Sequence, residues 1–472
     1  MLAACLLAST LSTSAALARQ DGACDCVRNV DDIVTRIEAD YVAFPLAIKG
    51  TRLDEWHAHV SALRTRAASA HGEDCVLLLQ ELVAWFGDGH LFLSEQGGSG
   101  PVPAPETFSI PDEELDRIAS GGGAEVEGIW YAKDGPEYAV VRDPSGRRDF
   151  IAVLLGDDVP GWKAGEIKAE LWNDGHSGQR VRYRAQDHSI RHYRARVWRG
   201  LLLHMPPVTW GRRLPMKPEQ EGVLDERDPR APTARVLAGG RVYVSIPSHS
   251  PEYAPALAAL VTRHSEALAN APLVILDLRG DEGGSSGTSR VLAPFYEGRA
   301  RSGIAAPPGN AVVVSSPDNV AYFRAMSPQG WIPKGLVARM EAHPGEIVSF
   351  DDPRESAPAA PAFEGRATAR RVAVLIDGGV VSAGEAFTLE LQRFENVTLF
   401  GQNTGGMIDY QDVTLVPLLC SASGLYLGYP TVAASDKLPL GGLNATGIAP
   451  QVRIEDSVED WVRFVVERDQ QH

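Results

Sequence analysis

A serine follows a short apolar segment and two glycines in the stretch from Arg370 to Glu385, RRVAVLIDGGVVSAGE. Residues 372–377 are largely β-branched or aliphatic, which predicts a strand buried on both faces of a parallel sheet. Apolar residues recur at helical spacing after Ser382, so this serine is predicted to lie at a strand-to-helix turn. A helix N-terminus offers free N–H groups and the positive end of the dipole, and both stabilise an oxyanion. The chemistry that these residues could perform is nucleophilic attack by the Ser382 hydroxyl.

The same residues have a simpler interpretation. Ser-x-x-Glu before an apolar helical run is also a capping box, in which the hydroxyl only accepts a hydrogen bond from the third helical N–H. A second stretch, residues 272–284 (PLVILDLRGDEGG), favours the catalytic interpretation. It predicts another buried strand that leads into a glycine-rich loop, whose backbone N–H groups can point at an anion. Taken alone, this loop is equally compatible with a phosphate loop or an ordinary turn.

The two stretches occur together with TLFGQNTGG at 398–406 and TGIAP at 446–450. This combination resembles the serine peptidase family of C-terminal-processing (tail-specific) proteases, to which the tricorn protease core and the interphotoreceptor retinoid-binding protein are related. The resemblance covers roughly residues 235–467 and an N-terminal helical segment. It implies a crotonase-like α/β core with Ser382 as the nucleophile. It also implies an oxyanion hole formed by backbone N–H groups of Gly283 or Gly284 and of Ala383.

The group that activates the serine is where the chain departs from this family. The processing proteases of the family use a Ser–Lys dyad with the lysine in a Thr-x-Gly-Lys segment. The corresponding run here is TGGM at 404–407, and the next lysine is Lys437. A histidine is then the better base. A lone histidine beside apolar residues is usually structural, but the Asp-Gly-His-Leu sequence at 88–91 is similar to the position of the general base in tricorn-type members, which implies His90 as the base.

A third group is needed to orient the base. Tricorn-type enzymes carry a glutamate near the C-terminal Gly-Ile-x-Pro motif, and this chain has Asn444 three residues before Gly447, where the resemblance places that glutamate. An asparagine can orient an imidazole by accepting from one ring N–H, although it cannot stabilise an imidazolium as a carboxylate would. We therefore expect Asn444 to orient His90, with Asp436 and Asp88 as alternatives.

Composition limits the classes of partner. The 472 residues carry a formal net charge of −16, and 44% of them are hydrophobic. These values are typical of a globular protein and argue against nucleic acid or an anionic membrane as a partner. We expect a peptide or protein substrate, and the predicted mechanism requires neither a metal ion nor another cofactor. The sequence does not indicate an oligomeric state.

The first 18 residues are small and apolar and end in Ala-Leu-Ala, which is typical of a secretory signal peptide and too short for a spanning helix. We expect an exported protein, periplasmic or secreted, with no membrane-spanning segment once the signal is removed. The sequence LAAC at 2–5 is a weaker indication of a lipid anchor. Cysteines of exported proteins tend to pair. Cys24 and Cys26 cannot easily bridge each other across one residue, so we expect one of them to pair with Cys75.

The pattern along the chain predicts five segments. They are a signal peptide (1–18), a helical segment that carries His90 (19–105), an all-β module in the form of a small barrel or sandwich (106–205), a linker (206–232) and a crotonase-like peptidase core (233–472). Short alternating strands separated by turn residues indicate the all-β module. The core contains a loose, proline-rich insertion at about 298–370, for which we expect a role as a lid or substrate-selecting loop.

Two other functions are compatible with the same residues. A non-catalytic protein could hold a peptide or hydrophobic ligand on the same core, with SAGE serving as a helix cap, and the missing lysine and glutamate favour this alternative. An acyl-thioester enzyme would use the same oxyanion geometry, but nothing basic near the glycine loops would meet a nucleotide phosphate. We therefore predict an α/β serine peptidase, with the binding protein as the alternative.

Overall fold

The structure is a computed structural model that describes residues 25–96, 102–157, 159–175, 178–285, 287–302, 309–351, 370–419, 424–439 and 442–470. The predicted signal peptide (1–18) and Cys24 lie outside the described residues, so the expectation of export stays a prediction. Among the described residues, no helix has the length and apolar character needed to cross a membrane.

Four helices and one strand form the N-terminal segment: α1 (Cys26–Asp40), α2 (Ala43–Ala47), α3 (Thr51–Ala67), α4 (Glu73–Ala84) and β1 (Phe92–Glu95). Helix α1 begins where the Asp25 carboxylate accepts a hydrogen bond from Arg28 N–H at 2.9 Å. A disulfide joins Cys26 to Cys75 with a Cα–Cα distance of 5.7 Å, and so connects α1 to α4. The expected pairing of Cys75 is therefore confirmed, with Cys26 as its partner.

The all-β module is a closed barrel of eight antiparallel strands in sequence order, which decides between the two predicted architectures. One helix precedes the barrel, and the elements are α5 (Asp112–Ala119), β2 (Gly128–Tyr131), β3 (Glu137–Arg142), β4 (Phe150–Leu154), β5 (Ile167–Asn173), β6 (Gln179–Arg184), β7 (Ile190–Trp198), β8 (Leu202–Met205) and β9 (Val208–Leu214). Aromatic and aliphatic side chains, among them Trp130, Phe150 and Trp210, fill the interior. The barrel is therefore packed in the manner of other small eight-stranded barrels.

The barrel extends further along the chain than the sequence indicated. The predicted linker (206–232) contains β9, which closes the barrel against β2. Trp210 in β9 is fully buried and stacks on Tyr138 with ring centroids 4.4 Å apart. The prolines at 206–207 and 215 lie at the two ends of this strand. The segment resembled a linker because proline occurs at the end of a strand as readily as in a loop.

The remaining elements build two sheets. In chain order they are β10 (Thr233–Val236), β11 (Val242–Ser245), α6 (Ala254–Arg263), α7 (Ser265–Asn270), β12 (Leu273–Asp277), α8 (Ala293–Tyr296), β13 (Val312–Val314), α9 (Pro317–Met326), α10 (Leu336–Ala342), β14 (Ile347–Ser349), β15 (Arg371–Ile376), α11 (Ala383–Leu391), β16 (Val397–Gly401), β17 (Tyr410–Pro417), β18 (Leu425–Ala433), β19 (Val452–Arg453) and α12 (Trp461–Asp469). The core sheet has the order β10-β11-β12-β15-β16-β19 and is parallel from β11 onward. The predicted strands at 272–284 and 372–377 are its neighbouring members β12 and β15.

The second sheet connects the N-terminal segment to the rest of the chain. Its order is β1-β18-β13-β14, and β17 also pairs with β18. The buried side chains of α1, α3 and α4 share one hydrophobic cluster with those of β18. Because β1 follows His90 after one residue and pairs with β18, this sheet fixes where His90 enters the core structure.

The insertion predicted at 298–370 differs from the expected overhanging loop over its described residues 309–351. These residues form β13, α9, α10 and β14, and β13 pairs with β18 in the second sheet. They also form their own small core, which includes Phe323, Leu336 and Met340. The prolines of the insertion made it resemble a loop, and the hydrophobic pattern of its short elements is too brief to predict them from sequence alone. The lid or substrate-selecting role expected for this insertion stays a prediction, and residues 303–308 and 352–369 lie outside the described residues.

We expect protein stability to depend on His192 between pH 6.5 and pH 9. Burial lowers the pKa of this side chain, but hydrogen bonds and charge from Glu73 and Glu95 outweigh it and raise the pKa to about 9. A raised pKa in the folded protein gives stability that is complete below the unfolded value near 6.5 and is lost as the pH rises through about 9. The loss amounts to at most about 3 kcal/mol. Urea unfolding of wild type and His192→Gln across this pH range measures it, and parallel stability curves would contradict the prediction.

Candidate active site

Ser382 lies between the end of β15 and the first residue of α11, as the sequence predicted. Its backbone has φ 53° and ψ −117°, a region that residues with a Cβ rarely adopt. Two other helices begin in nearly the same conformation, α3 after Gly50 (φ 57°, ψ −132°) and α4 after Gly72 (φ 54°, ψ −122°), and both positions are glycines. Such strain costs about 1–3 kcal/mol and persists where the surroundings impose it, most often at functional sites.

The carboxylate of Glu385 holds the turn in place. Glu385 is fully buried and accepts hydrogen bonds from Ser382 N–H at 3.2 Å and from the Thr404 hydroxyl at 2.5 Å. It also accepts from Gly406 N–H at 3.0 Å and Met407 N–H at 2.6 Å. The contact with Ser382 is the glutamate half of the expected capping box. The other three contacts attach the TGGM loop (404–407) to the start of α11.

The glycine loop after β12 lies directly against Ser382. A Cβ added to Gly283 would stand 2.8 Å from the Cβ of Ser382 and 3.2 Å from the N of Ala383, so only glycine allows this approach. As the first residue of α11, Ala383 has an N–H without an intrahelical partner. The structure therefore brings together Ser382, Ala383 and the loop, as the oxyanion-hole expectation requires.

The two candidate donors of the loop are not equivalent. The N–H of Gly283 donates to Asp281 Oδ1 at 3.0 Å, so it is already engaged within the loop. Gly284 forms a parallel bridge with His249, through bonds from His249 N–H to the Gly283 carbonyl and from Ser285 N–H to the His249 carbonyl. In such a bridge the N–H of the bridged residue itself points away from its partner strand. The geometry thus favours Gly284 over Gly283 as the donor.

His90 is almost fully buried, and a backbone carbonyl orients its ring. Its Nδ1 lies 2.6 Å from the carbonyl oxygen of Tyr410, the first residue of β17. Because a carbonyl can only accept, Nδ1 carries a proton, and in the neutral imidazole Nε2 then has the lone pair that a general base needs. The backbone N–H of His90 donates to Asp88 Oδ1 at 3.0 Å, and the Tyr41 hydroxyl donates to Asp88 Oδ2 at 2.7 Å. Burial is the chief cause that raises the pKa of Asp88.

A chain of contacts joins Gly89, the neighbour of His90, to Ser382. Gly89 lies against the Met407 side chain so closely that an added Cβ would stand 2.6 Å from its Sδ. Met407 N–H donates to the Glu385 carboxylate, which accepts from Ser382 N–H. Two segments far apart in the sequence therefore meet in one network. Met407 occupies the position where the processing proteases have lysine, and its thioether cannot accept the serine proton as an amine would.

Asn444 has a different place from the expected one. Its Oδ1 accepts hydrogen bonds from the backbone N–H groups of Ile408 at 2.9 Å and Asp409 at 2.8 Å. Its backbone N–H donates to Asp409 Oδ2 at 2.8 Å. The ring Nδ1 that Asn444 was expected to contact is bonded to the Tyr410 carbonyl instead. The orienting role predicted for Asn444 is corrected accordingly, because its Oδ1 already accepts from the backbone of Ile408 and Asp409 and so connects two loops. Of the alternatives, Asp88 contacts the His90 backbone.

Sequence reasoning missed two further groups of the site. The Tyr410 carbonyl has no sequence signal, because any residue supplies a carbonyl. The pair of His249 and Asp281 is fully buried, with His249 Nδ1 2.5 Å from Asp281 Oδ2. Its signal was Asp281, the second of the three acidic residues in the DLRGDEGG motif. Among the described residues, no cluster of three or more His, Cys, Asp or Glu side chains could hold a metal ion.

A serine at a strained strand-to-helix turn beside a donor-rich loop is the arrangement that serine hydrolases use. Comparison with protein families leads to a more specific class. Residues 330–454 match the model of peptidase family S41. This match confirms the resemblance to the tail-specific peptidases over that range. It includes Ser382 and Asn444, but not His90 or the loop of Gly283 and Gly284.

Several solved structures align with most of the chain at low identity. They include a lipoprotein from Streptococcus agalactiae (12% identity, 96% of this chain and 99% of that chain, TM-score 0.39). Mature CPAF is similar at 10% identity (94% and 97%, TM-score 0.48), and the photosystem II D1 C-terminal processing protease at 13% (92% and 93%, TM-score 0.33). A search of curated proteins found no match.

We expect Ser382→Gly to be more stable than Ser382→Ala and at least as stable as wild type. Glycine adopts φ 53° without a Cβ penalty, whereas alanine keeps the strain and loses the hydroxyl. The difference between the two variants should be roughly 1–2 kcal/mol in the free energy of unfolding, measured in urea.

Gly72→Ala is the matched control for this comparison. Gly72 has almost the same backbone angles, and an added Cβ there would meet no atom within 4 Å. Its loss of stability therefore reports backbone strain alone. If Ser382→Gly is less stable than wild type while Gly72→Ala is destabilised, Ser382 stabilises its turn as a cap and the strain argument is wrong.

Proposed function

We propose that this protein is an exported serine peptidase that hydrolyses peptide bonds with Ser382 as its nucleophile and His90 as its base. The observation that carries the proposal is the backbone of Ser382, held at a conformation that glycine occupies at two other helix starts. A side chain that is kept in a strained position supports a role for its hydroxyl. The family match over residues 330–454 supports a peptide or protein as substrate.

The first step is acylation of the serine. Ser382 Oγ attacks the carbonyl carbon of the peptide bond while its proton passes to His90 Nε2, which carries the lone pair in the neutral tautomer that donates from Nδ1 to Tyr410. The carbonyl oxygen becomes an oxyanion. The N–H groups of Gly284 and Ala383 would donate to it, and the positive end of the α11 dipole would add to their effect.

The second step completes the hydrolysis. His90 gives its proton to the leaving amine as the C–N bond breaks, which leaves an ester on Ser382. Water then attacks the ester, His90 takes the proton from that water, and the acid product leaves as Ser382 Oγ regains a proton. No carboxylate contacts Nδ1 in the described residues, so the imidazolium gains less stabilisation than in a Ser–His–Asp triad.

The crotonase-like assignment of the core belongs to this proposal. The parallel order β11-β12-β15-β16 and the helix after each of the site loops support it, together with the motifs quoted above. Export, to the periplasm or beyond, rests on the signal-like residues 1–18 and is supported by the disulfide of Cys26 and Cys75.

The alternative is a binding protein on the same fold. It is favoured by the contact of Glu385 with Ser382 N–H, which a capping box alone would explain, and by the absence of a lysine at 407. Such a protein would hold a peptide or an apolar ligand without reaction at Ser382. The two functions differ in whether the hydroxyl is activated, and that can be measured directly.

We expect a fluorophosphonate to form one adduct on Ser382 of the mature, oxidised protein. Intact-mass and peptide mass spectrometry should detect the adduct in wild type and not in Ser382→Ala. His90→Gln should slow labelling by about 10²–10⁴-fold, because general-base catalysis contributes that much. His59→Gln is the matched control, since this histidine lies on α3 and contacts Trp85 rather than the site.

Three outcomes would contradict the proposal. Absence of labelling in a folded wild type favours the binding protein. An adduct at another serine removes Ser382 from its role. Labelling that is equally fast in His90→Gln and wild type means that another group accepts the serine proton.

A further inference from the structure

Glu282 lies in the glycine loop between Asp281 and Gly283, and its carboxylate is bound by groups from outside the core sheet. Nε2 of His204 in β8 lies 2.7 Å from Glu282 Oε2. The hydroxyl of Thr209 in β9 donates a hydrogen bond to the same oxygen at 3.2 Å. Both residues belong to the barrel. Arg230, in the segment after β9, forms an ion pair with Oε1 at 2.5 Å.

These contacts leave the carboxylate well buried and charged. The Glu282 side chain is 14% exposed. Burial tends to raise its pKa, but the hydrogen bond and charge of His204 and the charge of Arg230 outweigh burial and hold the pKa below its usual range. Burying ions costs free energy that their attraction repays only when the geometry is good. The barrel has a complete interior of its own, so it does not need this contact to close.

The barrel contacts the same loop a second time through Trp198, at the end of β7. A Cβ added to Gly280 would stand 3.2 Å from the Cβ of Trp198, and one added to Gly379 would stand 2.8 Å from its ring. The loop after β12 and the loop after β15 therefore both pack on one barrel side chain. An added Cβ at Gly379 would clash with the ring, and one at Gly280 would make a tight contact with the Cβ of Trp198.

The core holds the neighbouring loop residue. Asp281 accepts from His249 Nδ1 at 2.5 Å and from Gly283 N–H at 3.0 Å, and its backbone carbonyl accepts from Val381 N–H at 3.0 Å. Asp281 is thus held by the core, whereas Glu282 is held mainly by the barrel and by Arg230 after it, with one longer contact from the Ser248 hydroxyl of the core at 3.5 Å. The conformation of the loop, and with it the direction of the next N–H at Gly284, depends on both.

We propose that the barrel sets the position of the glycine loop after β12 by binding the Glu282 carboxylate, with His204 and Thr209 as positioning residues. The proposal rests on the proposed function, because it concerns the loop that would bind the oxyanion. A displacement of about 1 Å at a reacting centre can reduce a rate by about 10²-fold. The barrel is therefore part of the machinery of the site and not an appended module.

Two variants of His204 separate positioning from simple stability. His204→Gln keeps an N–H that can donate to Glu282, whereas His204→Leu removes it. Arg213→Leu is the matched control, because Arg213 pairs with Glu137 at 2.9 Å within the same barrel and does not touch the loop. Thr209→Val is a nearly isosteric second test if His204→Leu fails to fold.

Two measurements are made on each mature variant. The first is the rate of fluorophosphonate labelling, which depends on the oxyanion hole. The second is amide hydrogen exchange in peptides covering residues 278–285, which reports the order of the loop whether or not Ser382 reacts. We expect His204→Leu to label about 10–10²-fold more slowly and its loop to exchange faster. His204→Gln should stay within about threefold of wild type, and Arg213→Leu should change neither quantity.

The outcomes divide cleanly. Unchanged loop exchange in both His204→Leu and Thr209→Val overturns the positioning role, whatever the labelling shows. Loss of labelling to the same extent in Arg213→Leu also overturns it, since general weakening of the barrel would then suffice. If wild type is not labelled while the loop of His204→Leu exchanges faster, the proposed function fails and the positioning of the loop stands.

Discussion

The parallel pairing of β12 with β15 is the constraint on which the site depends. Asp277 at the end of β12 lies opposite Leu375, so both strands end at the same edge of the core sheet. Their following loops must then meet, and Gly280 N–H and Gly379 N–H both donate to Asp377 Oδ1 at 2.9 Å. A shift of register by one residue would separate the glycine loop from Ser382 and reverse the faces of every buried side chain in the strand.

The strain at Ser382 is supported by groups that lie outside its own helix. Glu385 makes four hydrogen bonds from a fully buried position, and three of them reach the TGGM loop. This loop also carries Met407, which packs on Gly89 beside His90. A single buried carboxylate therefore couples the turn of Ser382 to the segment that carries His90. This coupling explains how a strained turn can persist, since the energy it costs is spread over several contacts.

Local patterns predicted the parts of the site that depend on local sequence. The two buried strands, the turn at Ser382 and the glycine loop each have a pattern within about 15 residues, and the structure contains all of them. The missing parts depend on contacts across the fold. Nothing in the sequence near Tyr410 marks its carbonyl as the partner of His90, and Asn444 was placed by motif spacing although its oxygen is used elsewhere. Strand β9 was missed because its flanking prolines resembled a linker.

The barrel and the core both contribute a cationic partner to one buried carboxylate, that of Asp277. Asp277 is fully buried, and burial alone would raise its pKa, but Arg199 and Arg279 hold its pKa far below the usual range. Arg279 belongs to the core, whereas Arg199 follows β7 of the barrel and is itself almost fully buried. Removing the barrel would leave a buried carboxylate with one cationic partner fewer, which is costly in a low-dielectric interior. Trp198, which precedes Arg199 at the end of β7, also packs against Gly280 and Gly379 in the loops beside Ser382. The arrangement of the site and the stability of the sheet edge are therefore consequences of one interface.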